Sequence, residues 1–465
     1  MKTFLRTVRR SIPCSWLWAV GCLLIAAAAQ AAEPAAALAT FRQKVHHIIV
    51  IYQENWSFDG LYGKFPGANG LENAKATAKQ TDRRDRPYQV LPQPLDTDWS
   101  PPIPDRRFPL DLPVGPFDLS KFVKPEDKTG DLIHRFYREQ YQIHGGKMDH
   151  YVAWSDAGGL VMSYYDATNL PEGKLAQEFT LCDNFFHAAF GGSFLNHIWL
   201  VAAASPTWPE APPELLIRKD PNHFADGVVT DDGYAVNTCV SINHPHPLNA
   251  KNPKYLLPSI KLPTIGDRLS DKKIDWAWYS GGWNRALAGD PDPEFNSLFQ
   301  FHHQPFVYFE SFADGTQAKK DHLKDEQDFF AATKAGNLPP VCFVKPFGAD
   351  NEHPGYASLS LGQQHVADLV EAVRKSKLWN DSVIVICYDE NGGRWDHVPP
   401  PKIDRWGPGT RVPAIVISPF AKRGFIDHTQ YDTTAVLKLI EERYDLSPLG
   451  ARDRDTGDLL HALQF

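Results

Sequence analysis

The sequence predicts an α/β fold: a mostly parallel central sheet with helices on both faces, interrupted by long proline-rich insertions. Three observations lead there. Short runs of apolar, mostly β-branched residues, such as Val383–Tyr388, are too apolar for a strand with one wet face and read as strands buried on both sides. These runs alternate with helical patterns, which implies helix-covered parallel strands. Several runs end abruptly in acids, amides and histidines, and open α/β sheets bind ligands just beyond the carboxyl ends of their strands.

The chain has 465 residues, 43% of them hydrophobic and 22% charged, ample for a packed core. Chemical motifs spread over the whole length argue for one catalytic domain, residues 32–465, with loop insertions at 66–130 and 205–263 near the site. Residues 1–31 read as a signal peptide. Lys2, Arg6, Arg9 and Arg10 form a basic start, Ser15 to Ala29 an apolar stretch, and Ala29-Gln30-Ala31 a small-x-small cleavage site. A retained anchor is the competing reading, but the apolar run is short for a span. Arg9-Arg10 hints at twin-arginine export, although the residues that follow fit it poorly. The expectation is an exported protein, periplasmic or extracellular, with no stable membrane span after signal removal. The formal net charge is −8, and four cations lie in the signal segment, so the mature chain is more acidic still. That balance argues against nucleic acid as a partner. Of six cysteines, Cys182 and Cys239 are the pair an oxidising compartment would offer for a disulfide; a core this large needs no such staple.

Taken in order, Val45–Tyr52 reads as a buried strand running into Gln53-Glu54-Asn55-Trp56-Ser57-Phe58-Asp59-Gly60. Glu54 offers a hard oxygen ligand and Asn55 a carbonyl oxygen, or else Asn55 caps the following turn. Residues 66–130 are mostly irregular, with ten prolines from Pro87 to Pro125, and a loop that long is usually functional. Asp131 to His144 has helical spacing and carries His134, which on residue type alone is a packing or surface histidine. Phe190-Gly191-Gly192-Ser193-Phe194-Leu195-Asn196-His197 holds the best nucleophile candidate. The glycines allow close approach of backbone to a ligand, and Ser193 either caps the following helix or stands ready to attack phosphorus.

Residues 205–263 read as an insertion over the site. His244 and His246 within it are metal ligands or, more simply, turn residues. Leu262–Asp267 begins a helix, and Asp275–Tyr279 alternates as a strand. Val341–Val344 is another buried strand, leading to Glu352-His353-Pro354, where His353 suits a metal or the protonation of a leaving group. Leu359–Trp379 is an amphipathic helix. Val383–Tyr388 then runs into Asp389-Glu390-Asn391-Gly392-Gly393. Adjacent acids cannot face one centre from an extended chain, so the glycines must turn it. Burying both acids is costly unless a cation compensates, so Asp389 and Glu390 read as ligands of a divalent metal rather than as a solvated turn. Arg411–Pro419 is a last core strand and Tyr431–Tyr444 a last helix.

Together these stretches resemble the bacterial phosphoesterase family of secreted acid phosphatases and phospholipases C. The matching pieces are Glu54-Asn55-Trp56-Ser57-Phe58-Asp59, Gly145-Gly146-Lys147-Met148-Asp149, Ser193 with Asn196-His197, Glu352-His353-Pro354, Asp389 to Gly393 with Asp396-His397-Val398-Pro399-Pro400, and Arg411-Val412-Pro413 to Ser418-Pro419. They occur in family order across nearly the whole mature chain; Leu195 stands where the family often has proline. The resemblance implies the alkaline-phosphatase-like core and a metal held by Glu54, Asn55, Ser193, Asp389 and Glu390. It also implies Ser193 as nucleophile, with His134 and His353 on the phosphoryl group or its leaving oxygen. The expected activity is a metal-dependent, acid-phosphatase-like phosphomonoesterase, with a divalent ion, Zn2+ favoured, as cofactor and a phosphate ester as substrate. A phospholipase C acting on phospholipid headgroups is the first alternative. A non-catalytic secreted binding protein on the same scaffold is the second. The modified Cys/Ser-x-Pro-x-Arg motif of sulfatases is absent.

Overall fold

The apolar runs form the middle of an eight-stranded sheet. The computed structural model describes residues 35–219 and 224–465, so the signal peptide expected over residues 1–31 lies outside the described residues. The strands are β1 (His47–Gln53), β2 (Thr180–Cys182), β3 (Trp276–Ser280), β4 (Leu323–Asp325), β5 (Val341–Lys345), β6 (Ser382–Tyr388), β7 (Ala414–Ile417) and β8 (Phe425–Asp427). Their order is β4-β3-β5-β1-β6-β7-β2-β8. Only β7 runs against its neighbours. Every residue of β5 and β6 is buried, as expected for strands covered on both faces.

The helices that matter below are α1 (Phe136–Ile143), α2 (Pro171–Glu178), α3 (Ser193–Ala202), α4 (Ile265–Asp271), α5 (Glu326–Ala335), α6 (Leu359–Lys375) and α7 (Thr434–Tyr444). They fall into two sets. Helix α6 packs on α2 and α5, while α3 packs on α4 and α7. The amphipathic spacing of α6 buries Val366, Leu369, Val370 and Val373, and the Ser358 hydroxyl caps its first turn.

Several expectations are corrected. Helix α1 begins only at Phe136, so His134 lies in extended chain ahead of it. Strand β3 is buried along its whole length rather than alternating, because aromatic rings such as Phe306 and Phe343 cover Trp276 and Trp278. Within 411–419 only Ala414–Ile417 pairs regularly; Pro413 and Pro419 lack the N–H a longer ladder needs. Strands β2, β4 and β8 went unread because three residues carry no usable period. Cys182 and Cys239 are both free and buried. Among the described residues, no helix is long and apolar enough to cross a membrane.

One ionic cluster locks the loop after β6 against the turn after β1. Arg411 is fully buried, its Nε 2.9 Å from Asp396 Oδ1 and its Nη2 3.2 Å from Asp59 Oδ1. Its Nη1 donates to the carbonyls of Asp183 and Asn69, at 2.6 and 2.9 Å. His397 Nδ1 lies 2.7 Å from Asp59 Oδ2. The guanidinium fills what would otherwise be a carboxylate–histidine cation site. Removing one partner of a buried pair leaves the other charge uncompensated. Arg411→Ala is therefore expected to lose ~3–5 kcal/mol of stability in urea unfolding, with Arg411→Lys intermediate because it keeps the charge and loses the fork.

Candidate active site

Strand register brings the acidic strand ends together. Gln53 of β1 pairs with Tyr388 of β6, so Glu54 and Asp389 follow side by side. Asn55 turns with φ +64°, a left-handed conformation asparagine tolerates, which lets Glu54 and Asn55 both face inward. Gly392, at φ +55°, makes the matching turn after Glu390, and a side chain there would strike Asn55. The N–H groups of Asn55 and Glu390 both donate to Asp389 Oδ1, at 3.1 and 2.8 Å.

Ser193 arrives from the opposite side, as the first residue of α3. Gly192 is the N-cap, so the Ser193 hydroxyl caps nothing and is free for the site. Its Oγ lies 3.2 Å from Glu390 Oε1 and 3.3 Å from Glu54 Oε2. The paired glycines allow a close approach of another backbone. They admit the 134–136 segment: a Cβ on Gly192 would touch the His134 carbonyl, and one on Gly191 would overlap Phe136 N. That crossing carries His134 into the pocket, where its Nε2 lies 3.4 Å from Glu390 Oε1.

The histidines fix the orientation of Asn55. His353 Nδ1 donates to the Pro354 carbonyl, and His134 Nδ1 to that of Leu132. Burial keeps both rings neutral, holding His353 down to about 4 and His134 below its ordinary value. Each Nε2 is then a lone pair. Asn55 Nδ2 donates to His353 Nε2 at 2.9 Å, which turns Oδ1 towards Glu54 Oε2 at 3.1 Å and Glu390 Oε1 at 3.0 Å. Swapping the amide would satisfy the carboxylates but set its oxygen against the His353 lone pair.

Three carboxylates, Glu54, Asp389 and Glu390, are thus wholly buried around one hydroxyl. Lys345, the last residue of β5, contributes one ammonium, bound to Glu54 Oε1 and to the Tyr52 carbonyl at 3.0 Å. Burial and then the Asp389 charge push Glu54 and Glu390 well above the usual carboxylate range. Burial acts the same way on Asp389 and is the largest single influence there, but the Lys345 ammonium and the hydrogen bonds from Glu390 and Ser193 together outweigh it and hold Asp389 low. Asp389 Oδ2 and Glu390 Oε2 are buried without a hydrogen-bond partner. Orphaned carboxylate oxygens, an amide oxygen facing acceptors and an uncompensated negative charge make a donor set that fits a divalent cation.

All seven residues singled out from the sequence therefore share one pocket. Sequence reasoning missed Lys345, which followed an apolar run as the other strand-end polar residues did, and His302 with His303, which no pattern marked. His303 Nε2 lies 3.2 Å from Glu54 Oε1, and its ring stacks 4.9 Å from that of His197. Lys345 occupies the charge slot of the Glu54, His197 and His303 cluster. His244 and His246 stack on each other at 4.3 Å, and His244 pairs with Asp314 at 2.6 Å, away from these residues.

The sequence model of the phosphoesterase family matches residues 45–447. The chain belongs to the phosphoesterase family. It is a hydrolase acting on phosphoric esters. It is similar to phospholipase C A of Mycobacterium tuberculosis, 25% identical with 90% of this chain and 77% of the relative aligned. It is also 25% identical to a non-hemolytic phospholipase C of Burkholderia pseudomallei, over 86% of this chain and 55% of that longer protein. Among solved structures it overlays a protein in the alkaline phosphatase superfamily from Vibrio parahaemolyticus, with a TM-score of 0.35, 10% identity, and 63% of this chain and 65% of that one covered. Another is the phosphonate monoester hydrolase of Agrobacterium radiobacter, with a TM-score of 0.36, 9% identity and coverages of 90% and 77%.

A second buried pair braces the turn ahead of Ser193. Glu139 of α1 accepts from His187 Nε2 at 2.8 Å, from Thr410 N at 2.9 Å and from Gly191 N at 2.6 Å. His187 Nδ1 lies 2.8 Å from the Ala189 carbonyl, so both ring nitrogens donate and the ring is an imidazolium. Burial alone would lower His187 and raise Glu139, but each holds the other charged, so His187 stands above 6.5 and Glu139 below 4.5. The His187 contribution is full below pH 6.5 and fades as pH rises through its raised value. That of Glu139 is full above pH 4.5 and fades as pH falls through its lowered value. Glu139→Gln is expected to cost ~3–5 kcal/mol near pH 5.5, read by denaturant unfolding, and clearly less at pH 9. An equal cost at both pH values would contradict the ionic account.

Proposed function

We propose that this protein is an exported, metal-dependent phosphoric ester hydrolase with Ser193 as nucleophile. The observation that carries the reading is the Ser193 hydroxyl set between Glu54 and Glu390, with Asp389 Oδ2 and Glu390 Oε2 buried and without hydrogen-bond partners beside it. Glu54, Asn55, Ser193, Asp389 and Glu390 would hold a divalent ion, Zn2+ favoured. Such an ion supplies Lewis acidity, lowering the pKa of the serine hydroxyl and neutralising phosphate oxygens. The order of basic, apolar and small residues over 1–31 supports export. Residues 32–465 form the catalytic domain. The 66–130 and 205–263 segments flank the pocket: the Thr129 carbonyl accepts from Gly355 N at 2.6 Å, and Asn237 Oδ1 accepts from Phe136 N at 3.0 Å.

Ser193 Oγ passes its proton to the neighbouring carboxylate and attacks phosphorus in line. The ester oxygen leaves and a phosphoseryl intermediate forms. His134 and His353 offer Nε2 to the phosphoryl group. The negative charge of the bound phosphate raises their pKa, so one of them takes a proton from solvent and passes it to the leaving oxygen. Water then cleaves the phosphoserine and restores the hydroxyl.

Charge matching bears on the substrate. Three carboxylates against Lys345 and a divalent ion leave the pocket neutral. Arg135, next to His134 and acting through its charge on His134 and His302, adds one positive charge. This suits a phosphate with a single negative charge. Two substrates meet that condition: a phosphomonoester below its second pKa of about 6, and a phosphodiester at any ordinary pH. The phospholipase C relatives favour the second reading, cleavage of a phospholipid headgroup.

Ser193→Ala is expected to reduce turnover by about 10^4-fold or more with circular dichroism unchanged. Acid-quenched wild-type enzyme should carry one phosphoryl group on the peptide containing Ser193. Near wild-type rates in the variant would end the assignment. Dialysis against a chelator should abolish activity, and Zn2+ should restore it. Hydrolysis of p-nitrophenyl phosphate should rise as pH falls through about 6, whereas that of p-nitrophenylphosphorylcholine should not follow this step. The faster of the two at neutral pH identifies the preferred ester class.

A further inference from the structure

We infer that Asp85, His144 and His150 form a second binding site, outside the catalytic pocket, for a divalent transition ion of the Zn2+ type. Their donor atoms all lie within 4.8 Å of one another. His144 follows the last residue of α1, at the opposite end of that helix from His134. The site is independent of the reading given above.

Both imidazoles are prepared as ligands. His144 Nδ1 lies 2.8 Å from Asp149 Oδ1 and donates to it, which leaves the Nε2 lone pair available. A carboxylate behind a histidine in this way is the usual outer support of a metal-bound imidazole. His150 is about nine-tenths buried, and its Nε2 has no hydrogen-bond partner. The two rings stack at 3.7 Å, only 7° from parallel, so one ring tilts for both in-plane lone pairs to meet at a single ion; their Nε2 atoms lie 3.8 and 3.3 Å from Asp85 Oδ1. A buried imidazole nitrogen whose polar neighbour is a carboxylate 3.3 Å away, outside hydrogen-bond geometry, leaves a position that an ion shared by the two would fill.

The Asp85 loop is held in place before any ion arrives. Thr81 N donates to the Asp149 carbonyl at 2.8 Å, and Gln80 Nε2 to that of Met148 at 2.9 Å. Asp82 Oδ1 accepts from Arg84 N at 2.8 Å and Arg86 N at 3.0 Å, closing a tight turn. Asp85, His144 and Met148 all adopt positive φ, at 59°, 47° and 58°. Three such residues that are not glycine within one small cluster carry a conformational cost that fixes the donors. Two nearby cations are engaged elsewhere. Arg83 lies over the Trp154 ring at 4.1 Å, and Arg86 pairs with Asp82 at 2.6 Å. This distinguishes the cluster from the Glu54 and Asp59 groups, which Lys345 and Arg411 fill. Two nitrogens and one oxygen suit Zn2+, Co2+, Ni2+ or Cu2+ rather than Ca2+ or Mg2+. Asp85 is two-thirds exposed, so the remaining positions open to water.

The test is a titration of metal-depleted full-length protein, with Zn2+ by calorimetry and Co2+ by visible absorption. Wild type is expected to bind one more equivalent than a His144→Ala/His150→Ala double variant, whose hydrolase activity stays within twofold of wild type. Asp149→Asn should weaken that equivalent by about tenfold or more. Equal stoichiometry in wild type and double variant would overturn the proposal. Should the double variant fail to fold, Asp85→Ala carries the test at an exposed position. A weaker second equivalent is the expected result, and an unchanged one overturns it.

Discussion

Burial of three carboxylates around a single hydroxyl is the constraint on which the rest of this structure depends. Glu54, Asp389 and Glu390 have no contact with solvent, and Lys345 offsets only one of their charges. In a region of low dielectric, such an excess costs far more than any hydrogen bond returns. The fold tolerates it because parallel strands β1 and β6 present their carboxyl ends side by side. Like charges are forced together there, where a cation can neutralise all of them at once.

Around that centre, the molecule spends its unusual backbone conformations on close approach. Asn55 at positive φ brings two adjacent side chains inward, and Gly392 lets the second acidic turn lie against it. Gly191 and Gly192 let the chain before α1 cross the start of α3, which places His134 in the pocket. Glu139 and His187 then hold the crossing rigid. Each of these contacts joins segments far apart in sequence, so the pocket is a property of the whole sheet and not of any one motif.

Buried ion clusters recur with different occupants. Arg411 fills the space among Asp59, Asp396 and His397, and Lys345 fills that beside Glu54, His197 and His303. A guanidinium or ammonium makes a permanent, internal counter-charge. Where the chain supplies none, at Asn55 and Glu390 and again at Asp85, the same physics calls for an ion from outside.

By itself, the sequence determined which segments are strands buried on both sides and which polar residues end them. Val383–Tyr388 is too apolar for any other place, and an acid pair directly after such a strand has few places to go. It thereby determined the α/β class, a local statement about patterning, and made Glu54, Asn55, Ser193, Asp389 and Glu390 candidates, a set drawn together by the family resemblance. Only the tertiary structure decided that Ser193 faces the carboxylates instead of capping its helix, that His134 stands outside α1, and that Lys345 and His303 join Glu54. These depend on strand register and on how closely distant backbones pass, and no period in the chain encodes a distance between segments that meet only when the sheet closes.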